Sequence, residues 1–299
     1  MPSALLSILL ATTPTLAFNA SHTLVEPDGV VAEVAAEPGK FSTPRELLSA
    51  LAEQDKATTT LQGDVRYTTI QSLEGDMQIR YGNLAIRNDD NADAGLSRRY
   101  AVRFNQLIVG DRFDQIDEHY IFDGRWFVER NPEEKQFNKH ELVPQGETLD
   151  PMELMRNAPF WVSLGHDQDR LFNNYDITLQ GVSDGLADNA DFPELKTLAE
   201  QPHVQGTTQL MLVPKQGSGF EDDWEFVRIW VNTETLLPAL YLKQDWTGDI
   251  QVVELFQTER NAEIPLSVFD TTTPDATSGW NVQINRWRGD TDQPNPDSP

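Results

Sequence analysis

The chain has 299 residues, of which 48 are acidic and 23 basic, giving a formal net charge of −25. Hydrophobic residues make up 38% and aromatic residues 9%, enough for one large β domain with tails or for two small domains. An anionic chain repels phosphate backbones, so we expect no nucleic acid as a partner. The same charge is consistent with solubility in a saline medium and with binding to a basic partner, and the sequence does not distinguish these two explanations.

The N-terminus carries the pattern of an export signal. An apolar run at 4–10 is followed by Thr15-Leu16-Ala17, a small-x-small pattern suited to signal peptidase, which predicts a signal peptide over 1–17. No stretch reaches the roughly 18 apolar residues that a membrane span needs, so we do not expect an integral membrane protein. The chain has no cysteine, so we expect no disulfide, thiolate metal site or acylated cysteine anchor.

A linker and a helix are predicted next. Residues 18–42 contain proline and glycine with little periodicity, which is typical of a linker. Ser42 or Thr43 can cap a helix, and Pro44 suits its first turn. Leucines and an alanine between 47 and 52 then recur on one helical face.

From residue 61 the apolar residues alternate with a period of two, which predicts strands. The predicted strands lie at 61–70, 77–81 (extended through 84–87), 100–104, two within 118–129, 135–143, 207–213, 224–231, 239–246 and 250–260. Asp123-Gly124 and Thr247-Gly248-Asp249 predict tight hairpins. Residues 88–95 are predicted to be a polar loop.

The middle and the end of the chain differ from these strands. Short helices are predicted within a helical insertion at about 144–205, including 167–175 and 192–201. Residues 271–299 are rich in Thr, Asp and Pro, which predicts a disordered tail. Strands, a helical interruption and more strands indicate a mainly β (α+β) protein with a single curved antiparallel sheet and helices on one face.

Catalytic motifs are not evident. The five histidines are scattered without metal-ligand spacing, and there is no Gly-x-Ser-x-Gly elbow or phosphate-binding glycine loop. Asp89-Asp90 and Asp222-Asp223 are more typical of solvated loops than of a cation site. We therefore expect no metal, no cofactor and no enzymatic activity. A secreted hydrolase with two carboxylates distant in sequence stays an alternative.

Apolar side chains occupy both phases of the predicted strands. In the 224–231 segment one phase holds Trp224 and Phe226 and the other holds valines and isoleucine, while Trp126 and Phe127 point to opposite faces. A sheet that is apolar on both faces must cover both, or hold a hydrophobic ligand on one. A closed barrel or two-layer core without a ligand is the alternative.

Several segments resemble the periplasmic lipoprotein carrier family of Gram-negative bacteria (LolA-like). The apolar strand 104–111 precedes an Asp-Gly hairpin with a following tryptophan in 120–128, and both resemble family motifs. Further similar segments are the helix with strand 61–67, the strand and turn 224–238, and the last strand with its closing phenylalanine in 254–270. The resemblance spans roughly 43–270 and indicates a divergent member.

The resemblance implies a half-open structure: an incomplete β-barrel with short helices covering its concave face. It implies a monomeric, non-enzymatic, periplasmic carrier that binds the acyl chains of a lipoprotein or lipid and meets donor and acceptor proteins at the inner and outer membranes. A periplasmic sensor or scaffold that binds a partner protein on the same fold is an alternative.

Candidate cavity residues follow from this interpretation. The sheet candidates are Phe104, Trp126, Val128, Trp224, Phe226, Tyr241 and Leu255, and the lid candidates are Leu154, Met155, Phe160 and Trp161. The family's lid-holding arginine lies in an Arg-Pro step, which this chain lacks, so Arg80 and Arg87 are both latch candidates. A register error of one residue would move a predicted side chain to the other face.

Overall fold

The computed structural model describes residues 40–91, 95–143, 147, 167–187, 189 and 192–286. The strands are β1 (Thr60–Gln71), β2 (Asp76–Asn91), β3 (Gly95–Val109), β4 (Arg112–Phe122), β5 (Trp126–Asn131), β6 (Gln136–Glu141), β7 (Tyr175–Gln180), β8 (Thr207–Pro214), β9 (Phe226–Asn232), β10 (Pro238–Gln244), β11 (Ile250–Arg260) and β12 (Asn281–Asn285). The α-helices are α1 (Pro44–Lys56), α2 (Gln168–Asn174) and α3 (Lys196–Ala199). None of the helices in this part of the chain is long and apolar enough to span a membrane.

Helix α1 begins where its capping residues predict. The Thr43 side chain accepts a hydrogen bond from the Glu46 backbone N–H, and the Glu46 carboxylate accepts one from the Ser42 N–H. This reciprocal pair satisfies two backbone donors at the helix start, and Pro44 needs no partner there. The leucines of the helix are buried against the sheet.

All twelve strands join one sheet, in the order β12-β6-β5-β4-β3-β2-β1-β11-β10-β9-β8-β7. Neighbours pair antiparallel except for β12, which runs parallel to β6. The two ends of this order, β12 and β7, do not pair with each other, so the sheet is not closed into a barrel. The predicted mainly β fold with a single antiparallel sheet is confirmed.

The sheet buries side chains on both faces. On one face, called the α1 face below, Leu61 and Val65 of β1 belong to the same buried cluster as the leucines of α1. On the opposite face, Ile70 and its neighbours pack against Val182, Leu186 and apolar residues of 192–204, a range that includes α3. A third cluster on that opposite face packs Ile121 and Val128 against the C-terminal segment at Ile264 and Phe269.

The structure differs from the sequence predictions in the placement of its helices, in the predicted insertion and at the C-terminal end. The segment that contains α3 covers the face opposite to α1, so helices lie on both faces. The predicted helical insertion contains a strand, β7, at the edge of the sheet. Residues 271–286 are ordered rather than part of a disordered tail, because β12 pairs with β6 and the Thr271 hydroxyl donates to the Asp123 carboxylate.

The hairpin between β2 and β3 is also longer than predicted. Its strands pair from Gln78 with Val109 out to Asn91 with Gly95, through most of the predicted polar loop at 88–95. Asp89 accepts charge-assisted bonds from Arg87 and Arg99, which offsets the cost of placing carboxylates in strands.

Candidate functional site

Aromatic rings form a continuous row across the α1 face. The ring centroids of Tyr67 (β1) and Phe104 (β3) are 6.1 Å apart, and those of Phe104 and Tyr120 (β4) are 5.9 Å apart. Tyr120 continues to Phe127 (β5) at 6.4 Å, and Phe127 to Tyr100 at 6.4 Å. These distances suit stacked and edge-to-face aromatic pairs. The row therefore spans five consecutive strands, β1 to β5, on one side of the sheet, with rings contributed by four of them.

Gly82 allows this row to cross β2. It lies opposite Val65 and Phe104 in the ladder, between β1 and β3. A Cβ atom at Gly82 would lie 2.0 Å from the Arg103 carbonyl oxygen and 2.9 Å from the Phe104 Cα atom. The β2–β3 register shifts next to this position, between Tyr81 and Gly82. A side chain is therefore excluded there, and the rings of the adjacent strands meet.

A cavity of about 410 Å³ opens at one end of the aromatic row. Tyr67, Phe104 and Tyr120 line its apolar part. Its other walls come from the ends of β1 and β2 and from the turn between β10 and β11, with Asp245 and Asp249 among the lining residues. Its volume lies within the range of about 300–1,000 Å³ that is typical of small-molecule pockets.

An ion pair lies beside the rings. The Arg80 Nε donates to Glu118 Oε2 at 3.3 Å, and both side chains are about one-fifth exposed. Burial, followed by the charge of Glu118, raises the pKa of Tyr120 to about 12. Burial also raises the pKa of Tyr67, although the charge of Arg80 opposes this. Both tyrosines are therefore neutral at physiological pH and present uncharged rings to the cavity.

A second aromatic cluster lies on the α1 face at the β7 edge. The Tyr175 and Trp224 rings are nearly parallel, at 5° and 6.3 Å, and Phe220 contacts both. Lys243 lies 5.7 Å from the Trp224 ring centroid, and burial lowers the pKa of its ammonium group. Because Tyr175 and Trp224 are about 1% exposed, this cluster is core and not an open surface.

The seven predicted sheet residues divide between the two faces. Those that belong to the α1-face cluster are Phe104, Trp224, Tyr241 and Leu255. Those on the opposite face are Trp126, Val128 and Phe226. The prediction that all seven line one cavity is therefore wrong, and only Phe104 lines the α1-face cavity.

The physical reason for this division is strand phase. Val128 lies opposite Ile121, which is one residue away from the cavity phase of Tyr120. Trp224 precedes β9 and lies in a loop, so its alternation with Phe226 does not hold. Trp126 instead packs beside the cations of Arg125 and Lys139, at 5.6 and 4.8 Å from its ring centroid.

The latch candidates also separate. Arg80 lines the α1-face cavity, whereas Arg87 pairs with Asp89 near the far end of β2. Only Arg80 is thus placed beside the aromatic row. The lid candidates Leu154, Met155, Phe160 and Trp161 lie outside the described residues, so their role stays a prediction.

The sequence reasoning missed the tyrosines as cavity residues. Tyr67 shares its phase in β1 with the buried Leu61 and Val65, and Tyr120 shares its phase in β4 with Phe122. Knowing which residues of β1 and β4 lie on the same face as Phe104 would have identified both tyrosines, and that requires the pairing register of the hairpins. That register depends on the bulges in β2–β3 and β3–β4, which no local pattern shows.

The opposite face holds a second cavity, of about 540 Å³. It lies between β1–β4 and the segment around Ile264, and Asp64, Arg103 and His119 are among its lining residues. Burial opposes ionisation of Asp117 beside it, but hydrogen bonds from His119 and Arg103 outweigh burial and lower its pKa. Burial lowers the pKa of His119 despite the hydrogen bond to Asp117.

Metal-binding chemistry has no support in this part of the chain. No group of three or more histidine and carboxylate side chains is arranged to hold a metal ion within the described ranges. Asp89 and Asp90, which were considered for a cation, lie in β2, and Asp89 pairs with arginines.

Comparison with known proteins gives distant structural likenesses only. No protein-family model and no curated protein sequence matches the chain. An uncharacterized conserved protein from Thermus thermophilus is similar over 81% of this chain and 98% of its own, with 10% identity and a TM-score of 0.41. MucB in its Pseudomonas aeruginosa complex with MucA is similar over 76% and 60%, with 17% identity and a TM-score of 0.36. A LolA superfamily protein from Nitrosomonas europaea is similar over 74% and 96%, with 10% identity and a TM-score of 0.30.

The last of these structures carries the name of the group that the sequence motifs resemble. All three TM-scores are below 0.5, so these likenesses carry no weight in the functional proposal.

Proposed function

We propose that this protein is a non-enzymatic carrier that binds the acyl chain of a lipid or lipoprotein in the α1-face cavity. The observation that supports this most directly is that the half-buried rings of Tyr67 and Tyr120, with the buried Phe104 between them, line that cavity at one end of the aromatic row. Export to the periplasm belongs to the same proposal and is supported by the pattern of residues 1–17.

The driving force would be burial of methylene groups against these rings. Each methylene removed from water contributes about 0.8 kcal/mol. Part of that gain is offset by the entropy of ordering a flexible chain. Planar rings present a wide apolar surface without specifying a chain length, which suits a ligand that varies in length.

Arg80 and Glu118 would place the polar end of the ligand. They lie on the same face as the rings, and Arg80 lines the cavity. A neutral apolar chain gains nothing from this pair, so its expected position is along the rings, with its polar end towards Arg80. The Arg80–Glu118 pair would then set the orientation of the ligand rather than its affinity.

The experiment is a titration of the full chain with a dansyl-labelled fatty acid, together with mass spectrometry of lipids that copurify. We expect acyl species in the purified protein and saturable uptake of the probe. Tyr120→Ser should weaken binding about tenfold or more, a loss of about 1.4 kcal/mol. Trp126→Ser, a matched aromatic change on the opposite face, should leave it unchanged. Lipid-free protein that takes up no probe would contradict the proposal.

A further inference from the structure

Three exposed apolar side chains stand together at one end of the sheet. Seven large hydrophobic residues of the described chain are exposed: Leu73, Phe113, Val213, Trp246, Leu266, Val268 and Ile284. Leu73, Phe113 and Trp246 stand at three hairpin ends, and Leu73 is 90% exposed. Isolated exposed apolar residues need no explanation, but a group of them at one end of the sheet indicates an interaction surface.

The three hairpin ends are neighbours. The β3–β4, β1–β2 and β10–β11 hairpins occupy six consecutive places in the sheet order, with their turns at the same end. We call the segments 72–76, 110–114 and 245–249 the hairpin rim. Because adjacent strands are about 4.8 Å apart, adjacent hairpins of the rim are centred about 10 Å apart.

Part of the hairpin rim is held in place by hydrogen bonds. The Ser72 hydroxyl donates to the Thr247 carbonyl oxygen at 2.8 Å, and the Ser72 N–H donates to the Asp249 carboxylate at 2.8 Å. The Trp246 indole N–H donates to the Glu221 carbonyl oxygen, which fixes the exposed ring. Leu73 and Trp246 therefore stand on two turns that are linked to each other.

The hairpin rim borders the mouth of the α1-face cavity. Asp245 and Asp249 belong both to the rim and to the cavity lining, and Gln71 and Gln78, which flank the β1–β2 turn just outside the rim, also line the cavity. A molecule seated on the rim would therefore lie where a ligand enters or leaves the cavity.

The charge of the hairpin rim is strongly negative. Its three segments contain six carboxylates, Glu74, Asp76, Asp111, Asp114, Asp245 and Asp249, against one arginine, Arg112. That arginine is already paired with Asp114 at 2.7 Å. An anionic membrane surface would be repelled by such a rim, and a zwitterionic one would gain nothing from its charge.

We propose that the hairpin rim is a docking site for a basic, amphipathic segment of a partner protein. Leu73, Phe113 and Trp246 would meet the apolar face of that segment, and the surrounding carboxylates would meet its lysines and arginines. Aromatic and apolar anchors inside a charged border are the usual anatomy of such interfaces. The proposal extends the proposed carrier function, since docking at the cavity mouth places the partner where cargo is transferred.

The test uses the full chain and a labelled synthetic helical peptide of leucine and lysine, with a leucine and glutamate peptide of the same pattern as its control. Fluorescence anisotropy should show binding of the basic peptide only, weakening as salt rises from about 0.05 M to about 0.5 M. The double variant Leu73→Ser/Trp246→Ser should bind it about tenfold more weakly. Glu74→Lys/Asp111→Lys, which changes two exposed turn residues, should weaken it similarly.

The matched control is Leu266→Ser/Ile284→Ser, which removes two exposed apolar side chains from the C-terminal segment and should leave binding unchanged. Equal loss in this control, or equal binding of the acidic peptide, would overturn the proposal. So would rim-dependent sedimentation with phosphatidylcholine vesicles in the absence of peptide binding. Uptake of the dansyl fatty acid should persist in the rim variants. If the wild-type protein took up no dansyl fatty acid, that result would count against the carrier function alone.

Discussion

Replacing Gly82 by alanine tests the geometry on which the aromatic row depends. The added Cβ would lie 2.0 Å from the Arg103 carbonyl oxygen, 2.8 Å from its carbonyl carbon and 2.9 Å from the Phe104 Cα atom. All three are backbone atoms of β3, so no side chain can rotate away. The β2–β3 ladder must open locally, and Phe104 must move away from Tyr67.

The expected cost is large for the addition of one methyl group. Overpacking a core typically costs about 1–3 kcal/mol, and contact with backbone places Gly82→Ala at about 3 kcal/mol or above. Gly75 provides the matched control because a Cβ there meets nothing within 4 Å. Because Gly75 has a φ of 66°, Gly75→Ala should cost only the penalty for alanine in the left-handed region, about 1 kcal/mol.

Urea unfolding followed by circular dichroism measures both variants. Gly82→Ala should lower the free energy of unfolding by about three times as much as Gly75→Ala, with the urea dependence of that free energy unchanged. Thermal unfolding should show a decrease of roughly 6–12 °C for Gly82→Ala. The close approach of β2 and β3 would be refuted if Gly82→Ala were no less stable than Gly75→Ala.

Two further predictions concern titratable groups on the opposite face. Glu254 is 2% exposed and accepts a hydrogen bond from Arg66, so Glu254→Gln should lower the free energy of unfolding by about 3 kcal/mol, measured in urea. Glu259→Gln, at an exposed site, should lower it by less than about 0.5 kcal/mol. Equal decreases would show that burial does not determine the strength of the Arg66–Glu254 pair. The lowered pKa of His119 means that the unfolded chain binds its proton more readily, so stability should fall as pH drops through the unfolded value of about 6.5. His119→Asn, which keeps a donor to Asp117, should flatten that fall in unfolding experiments between about pH 7.5 and about pH 5.5, and an unchanged slope would contradict the stated cause.

Local sequence signals predicted most elements of the fold. The cap at Thr43, the Asp123-Gly124 turn and the period-two strands all act within a few residues, and the structure contains each of them. β7 was missed because its six residues directly follow α2 in a segment that was predicted to be helical. β12 was missed because it is a short, exposed edge strand stabilised by pairing with a strand about 145 residues earlier.

The cavity was harder to predict than the fold. The alternation of side chains along a strand placed Trp126 and Phe127 on opposite faces of the sheet, but it did not show which of these faces packs against α1. Apolar residues from distant parts of the sequence, within 182–204 and 264–269, pack on the opposite face, and no local pattern in the strands shows which phase they cover. Phe104 was predicted as a cavity residue, whereas Tyr67 and Tyr120, which also lie in motif segments, could be placed beside it only through the bulged register of β2–β3 and β3–β4.

Photocrosslinking with a diazirine-labelled fatty acid, mapped by mass spectrometry, tests the location of the proposed binding site most directly. With the label assigned to single residues by fragmentation, the α1-face cavity predicts modification of Tyr67, Phe104 or Tyr120 themselves, competed by unlabelled fatty acid. Labelling confined to the opposite-face cavity, at His119 and the segment around Ile264, would contradict it.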